Sequence, residues 1–149
     1  MAKNYYYSYE EFRKDTQELV NMSRAYKPDA LLGVARGGLT LAHLMSQAFD
    51  LNKIYTINSV HYDGELKLDT HKIFNIPDLS NSKKILIVDD IIDSGETMYD
   101  ILKILKEKFP KSEFRVATLF YKKDALIQAD YSIKVADRWI DFFWGVDVV

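Results

Sequence analysis

Residues 88–97 read Val-Asp-Asp-Ile-Ile-Asp-Ser-Gly-Glu-Thr, and two opposed chemistries are packed into that stretch. Asp89 and Asp90 follow Lys84-Ile85-Leu86-Ile87-Val88, a run with the composition of a buried strand. Carboxylates at such a strand end can accept hydrogen bonds from vicinal hydroxyls or help hold Mg²⁺ through water. Ser94-Gly95-Glu96-Thr97 then opens a helix, where backbone N–H groups and the two hydroxyls can cradle a phosphate. Gly95 permits close backbone approach. A ligand with a sugar diol at one end and a phosphate at the other, such as ribose 5-phosphate, fits both halves. Asp93 lies between them, placed to reach a group attached at C1. Helix capping explains part of the pattern. It does not explain two adjacent acids at the end of a buried strand, which packing alone disfavours.

A second anion-binding pattern is Val34-Ala35-Arg36-Gly37-Gly38. An arginine beside two glycines at a strand end offers a fixed cation and exposed N–H groups. Alone it is indistinguishable from an ordinary strand-to-helix turn. The three histidines carry less: His43 falls on a helix pattern, His61 and His71 in a polar stretch, and no spacing suggests a metal site.

The elements that must position these groups alternate along the chain. Ser8 with Glu11 has the form of a capping box, and Phe12, Thr16, Leu19, Ser23 and Tyr26 recur at helical spacing, predicting a helix over about 9–25. Ala30 to Val34 reads as a strand, and Leu41, Ala42, Met45, Ala48 and Phe49 mark a second helix face. Ile54 to Ser59 reads as a strand, and residues 61–82 as a long loop. Lys84 to Val88 is a buried strand, and Met98, Ile101, Leu102, Leu105 and Phe109 form a third helix stopped by Pro110. Phe114 to Phe120 and Tyr131 to Val135 are further strands, and the tyrosines at 5–7 suggest an edge strand or packing segment. Continuously apolar strands alternating with helices imply an α/β fold, a mostly parallel central sheet flanked by helices. Ligands of such sheets bind beyond the carboxyl ends of the strands, here after Val34, Ser59, Val88, Phe120 and Val135.

Composition bounds the rest. A length of 149 residues favours a single domain over 1–149, and 48% hydrophobic residues exclude a disordered chain. Without cysteine there is no disulfide scaffold, thiolate zinc site or cysteine nucleophile. The residues at the start form no signal-peptide core, and no apolar run approaches the ~20 residues of a membrane span. The expectation is a cytoplasmic protein without an integral membrane segment. The net charge of −2 argues against nucleic acid as a partner. Its distribution is more telling, because residues 89–100 hold five acids and no base, leaving 17 acids against 20 bases elsewhere.

The string Ile87-Val88-Asp89-Asp90-Ile91-Ile92-Asp93-Ser94-Gly95-Glu96-Thr97 closely resembles the phosphoribosyl-pyrophosphate (PRPP) motif of type I phosphoribosyltransferases. Val34-Ala35-Arg36-Gly37-Gly38 resembles that family's pyrophosphate loop, where a non-proline cis peptide often occurs, here Ala35–Arg36. Leu119-Phe120-Tyr121-Lys122 and Asp137-Arg138-Trp139-Ile140 resemble the base-binding elements of short bacterial 6-oxopurine enzymes of the xanthine–guanine and hypoxanthine–guanine types. The resemblance implies a small base-binding hood at about 121–149 and a lid loop at about 61–75. It also implies a homodimer or homotetramer that takes PRPP and a 6-oxopurine as small-molecule substrates and uses Mg²⁺.

Site roles follow from the same resemblance. Arg36, Gly37 and residues Asp89, Asp90, Ile91, Ile92, Asp93, Ser94, Gly95, Glu96 and Thr97 would bind PRPP. Asp90, with Asp89, would contact the metal. Asp93 would act as catalytic acid/base near purine N7, Lys122 would donate to O6, Trp139 would stack on the ring, and the Ile140 backbone would meet the amide edge. Two departures stand out. Phe143-Trp144-Gly145 replaces the usual Pro-Trp-Asp, which favours guanine and hypoxanthine over xanthine. Gly64 replaces an Arg before Glu65-Leu66-Lys67, leaving Lys67, His71 or Lys72 to supply the lid's cation. A receiver-type signalling domain also uses strand-end carboxylates with Mg²⁺, but its acidic pair would follow the first strand, where Arg36 stands. A non-catalytic PRPP-sensing regulator of the same fold would have no need of Asp93.

Overall fold

A computed structural model describes residues 3–63 and 69–149, the side chains of 61–63 and 69–71 excepted. The chain runs β1 (Tyr5–Tyr7), α1 (Tyr9–Ser23), a 3-10 turn (Arg24–Tyr26), β2 (Ala30–Ala35), α2 (Leu39–Phe49), β3 (Ile54–Asp63) and β4 (Asp69–Phe74). It continues through β5 (Lys84–Ile92), α3 (Glu96–Lys108), β6 (Glu113–Tyr121), β7 (Tyr131–Val135) and β8 (Ile140–Phe142). Six strands form one sheet in the order β4-β3-β2-β5-β6-β7, parallel except at β3–β4. β1 and β8 pair as a separate parallel ribbon.

The strand sequences assign their two faces by simple alternation. Leu86 and Val88 of β5 join Leu31, Ala117 and Leu119 in the cluster that buries Phe12, Leu19, Leu41 and Met45 of α1 and α2. Ile85 and Ile87 join Ala30, Leu32, Val34 and Val116 on the other face, against Met98, Ile101 and Leu105 of α3. α2 leads from β2 to β3 on one side, while α3 leads from β5 to β6 on the other. The connections therefore diverge between β2 and β5, which makes a crevice at their carboxyl ends.

Three sequence expectations change. The acids do not follow the strand but lie within it: β5 stays paired to β6 as far as Ile92↔Tyr121, yet leaves β2 at Gly33↔Val88. The gap so opened is where Asp89 and Asp90 stand. The long loop over 61–82 is partly a hairpin, with β3 extended to Asp63 and paired antiparallel from Asn58↔Phe74 to Asp63↔Asp69. Its exposed Val60 and Phe74 show why no buried face marks it in the sequence. The first helix ends at Ser23 and tightens into the 3-10 turn, rather than continuing to 25. The lid expected at 61–75 falls in large part outside the described side chains, Lys67 and His71 included; Lys72 is exposed, with Nζ 5.8 Å from the Phe74 ring centroid.

Candidate active site

Two cavities open at the carboxyl end of the sheet and meet on one segment of β5 and its loop. The first, about 300 Å³, is lined by Arg36 and Gly37 after β2, Ser59 on β3, and residues 89–95 with Thr97. The second, about 540 Å³, is lined by Lys122, residues 136–140 and Phe142. Asp90, Ile91 and Asp93 belong to both.

In the first cavity the turn after β2 is pressed against the acids. The Ala35–Arg36 peptide is cis. A Cβ on Gly37 would fall on the Asp90 carboxylate, and one on Gly38 would sit 2.5 Å from the Val88 carbonyl oxygen and 3.0 Å from Asp89 Cα. Only glycine lets this turn lie so close. Arg36 is exposed and has no ion-pair partner among the described residues. Asp90 N–H donates to Asp89 Oδ1 at 2.8 Å. Burial pushes the Asp89 carboxyl well above the usual carboxylate range, and the neighbouring Asp90 charge adds to the effect. Burial raises Asp90 as well, against hydrogen bonds that favour its charge. A cation beside these two carboxylates would favour the ionised form of both. Among the described residues no third His, Cys, Asp or Glu joins them to complete a metal cage. That donor set fits Mg²⁺, which commonly takes one or two protein carboxylates and fills its remaining positions with water and substrate oxygens.

The other end of this cavity is a turn running into α3. Gly95, at φ 86°, occupies the N-cap position, so the helix begins at Glu96. A Cβ on Gly95 would meet the Ile127 and Leu126 nitrogens at 2.8 and 2.9 Å. Leu126 N–H donates to the Ser94 carbonyl at 2.7 Å, so the 122–130 connection buttresses the turn. Ser94 Oγ accepts from Glu96 N–H at 3.2 Å. Glu96 itself is exposed and does not line the cavity, so its expected place in the cradle is limited to the backbone turn. The helix N-terminus and the Ser94 and Thr97 hydroxyls form a concave donor surface suited to a dianion.

The second cavity is larger and more apolar. Lys122, at the end of β6, is anchored by its N–H to the Ile92 carbonyl at 3.0 Å, and its Nζ lies 2.6 Å from Asp93 Oδ1. That contact holds the Lys122 ammonium pKa above its ordinary value, through the hydrogen bond and then the Asp93 charge. Trp139 is 72% exposed at the cavity wall, whereas Ile140 is buried. Trp144, by contrast, packs among Phe12, Phe142 and Phe143. Ser59, Met98 and Phe142 also line the cavities, although no sequence motif assigns them a role; for Ser59 the strand-end rule is the available signal. Asp137 and Arg138, paired at 3.0 Å, line the second cavity as part of the Asp137-Arg138-Trp139-Ile140 motif, which gives neither a role of its own.

Residues 8–149 match the family model described as "Phosphoribosyl transferase domain". The chain is 28% identical over 150 residues to a xanthine-guanine phosphoribosyltransferase of Idiomarina loihiensis, covering 97% of this chain and 88% of that protein. Among solved structures, the xanthine-guanine-hypoxanthine phosphoribosyltransferase of Helicobacter pylori superposes with a TM-score of 0.91 at 44% identity, over 98% of this chain and 96% of that one. A purine phosphoribosyltransferase from Pyrococcus horikoshii superposes with a TM-score of 0.85 at 28% identity, over 98% and 97% of the two chains.

Proposed function

The chain belongs to the phosphoribosyl transferase family, and on that footing we propose that it transfers ribose 5-phosphate from PRPP to N9 of a 6-oxopurine, releasing pyrophosphate. The observation that carries this reading is the junction of the two cavities at Asp90, Ile91 and Asp93. A ribose laid along the first cavity, with its 5-phosphate on residues 94–97, brings C1 to that junction. A planar base in the second cavity faces it.

The groups then divide the work. Ser94, Gly95 and Thr97 hold the 5-phosphate by N–H and hydroxyl donors. Asp89 and Asp90 accept from the ribose hydroxyls and would hold Mg²⁺, which supplies charge neutralisation for the pyrophosphate leaving group when bound. Arg36 and the neighbouring N–H groups offer a fixed cation and donors to that same anion. Lys122 donates to the purine O6, and Asp93, beside it, takes or returns the proton at N7 while N9 attacks C1. Trp139 provides a stacking face and the Ile140 backbone meets the amide edge of the ring. The absence of cysteine suits a reducing compartment, and we place the protein in the cytoplasm.

Incubation with PRPP, Mg²⁺ and guanine or hypoxanthine tests the reading. Nucleoside monophosphate and pyrophosphate in equal amounts are expected. PRPP binding without turnover would indicate a sensor of the same fold instead.

A further inference from the structure

The Trp139–Phe142 wall of the second cavity is not part of the six-stranded sheet. Among the described residues its strand, β8, pairs only with β1: Tyr5↔Ile140, Tyr6↔Asp141 and Tyr7↔Phe142. Tyr5 N–H donates to the Trp139 carbonyl at 2.8 Å, and Phe143 N–H donates to the Tyr7 carbonyl at 3.0 Å. The position of the wall is therefore set by a three-residue strand from the other end of the chain. A three-residue pairing is too short to hold itself.

Side chains fix that strand. Tyr7 is fully buried, with its ring edge-on to Phe120 at 4.9 Å, and its hydroxyl donates to Asp15 Oδ2 at 2.7 Å. Tyr5 donates its hydroxyl to Glu11 Oε2. Both acids lie on α1, and Lys134 meets both: Nζ is 3.1 Å from Asp15 Oδ2 and 3.6 Å from Glu11 Oε2. The same ammonium lies 5.5 Å from the Tyr7 ring centroid. Lys134 belongs to β7, two residues before the segment 136–140 that lines the cavity. One cation thus ties together β1, α1 and the edge strand from which the wall departs. Burial works against the Lys134 charge, but the Asp15 hydrogen bond and charge outweigh it and raise the ammonium pKa.

We propose that Lys134, through Asp15 and Glu11, is a positioning residue for the nucleobase: it fixes β1, and β1 fixes the Trp139–Phe142 backbone against which the base is read. The role rests on the base-binding reading of the second cavity. It does not extend to the first cavity, whose lining includes none of these residues.

Lys134→Met keeps the aliphatic stem and removes the charge, and Lys134→Arg restores it. In Lys134→Met the KM for guanine or hypoxanthine should rise about tenfold while the KM for PRPP stays within about twofold, and Lys134→Arg should recover most of the loss. Hydrogen exchange at the Phe143 amide should quicken in Lys134→Met whether or not the protein turns over. Equal changes in both KM values, no change in either, or unaltered Phe143 exchange would overturn the proposal. Wild-type protein inactive with every base would overturn the function instead, with the exchange result still deciding the positioning role. Should Lys134→Met fail to fold, Tyr5→Phe removes one hydroxyl from the same network and must show the same asymmetry in smaller measure.

Discussion

Lys122 Nζ and Asp93 Oδ1 stand 2.6 Å apart at the point where the two cavities meet, one at the end of β6 and the other in the loop after β5. The strands that carry them are hydrogen-bonded neighbours as far as Ile92↔Tyr121, so the sheet itself sets the spacing of the two groups. A donor and an acceptor held side by side match the O6 and N7–H edge of a 6-oxopurine.

Asp93→Asn removes the proton acceptor but leaves the phosphate turn intact. Turnover should fall by about 10²–10⁴ with PRPP affinity little changed, which single-turnover kinetics and equilibrium binding would separate. Parallel losses in both would remove Asp93 from proton transfer.

The two tryptophans should behave oppositely. Trp139, largely exposed, has little packing to lose, so Trp139→Ala should weaken nucleobase binding by about 1–3 kcal/mol at unchanged Tm. Trp144 is stacked 4.6 Å from Phe142, so Trp144→Ala should instead lower stability, by about 3 kcal/mol. Calorimetric melts alongside nucleobase titrations would expose a reversal.

Gly37→Ala would drive a methyl group onto the Asp90 carboxylate. The turn or the acid must move, and PRPP binding should weaken at least tenfold, about 1.4 kcal/mol or more. Full affinity in this variant would show that the close approach of the two loops is dispensable.

The acidic pair predicts a pH dependence in the ligand-free protein. Asp89 and Asp90 titrate higher in the folded chain than in the unfolded one, so the native state binds more protons between those values. Their stabilising contribution is complete below the unfolded carboxyl range of about 3.9 and is lost as pH rises through the raised folded values. Asp89→Asn should therefore gain stability over the wild type as pH rises toward neutrality, and Mg²⁺ should raise the wild-type Tm more at neutral than at acid pH. A constant difference between the two proteins across urea melts at several pH values would contradict this.

Much of this arrangement is legible in the sequence because it is local. The phosphate turn follows from Ser94-Gly95-Glu96-Thr97, the anion loop from Arg36-Gly37-Gly38, and the two sheet faces from the alternation in Ile85-Leu86-Ile87-Val88. What escaped it depends on partners distant in the chain. Nothing near Val88 says that β5 will keep β6 and leave β2, because the gap is made by a glycine turn 50 residues earlier. The tyrosines at 5–7 suggest an edge strand, but not that their partner is Ile140–Phe142. Among the described residues, the β3–β4 hairpin offers no buried side chains at 58–60 and 72–74 to write a period of two into the sequence.

Competition between hypoxanthine and adenine tests the central claim most directly, because the two bases differ at C6, the position Lys122 faces, and at the adjoining N1 of the amide edge that the Ile140 backbone meets. With PRPP and Mg²⁺, the protein should convert hypoxanthine to its monophosphate with equimolar pyrophosphate. Adenine, which presents an amine to the Lys122 ammonium, should be a substrate poorer by about 10²-fold or more in kcat/KM. Equal use of the two bases, or product from adenine alone, would contradict the account.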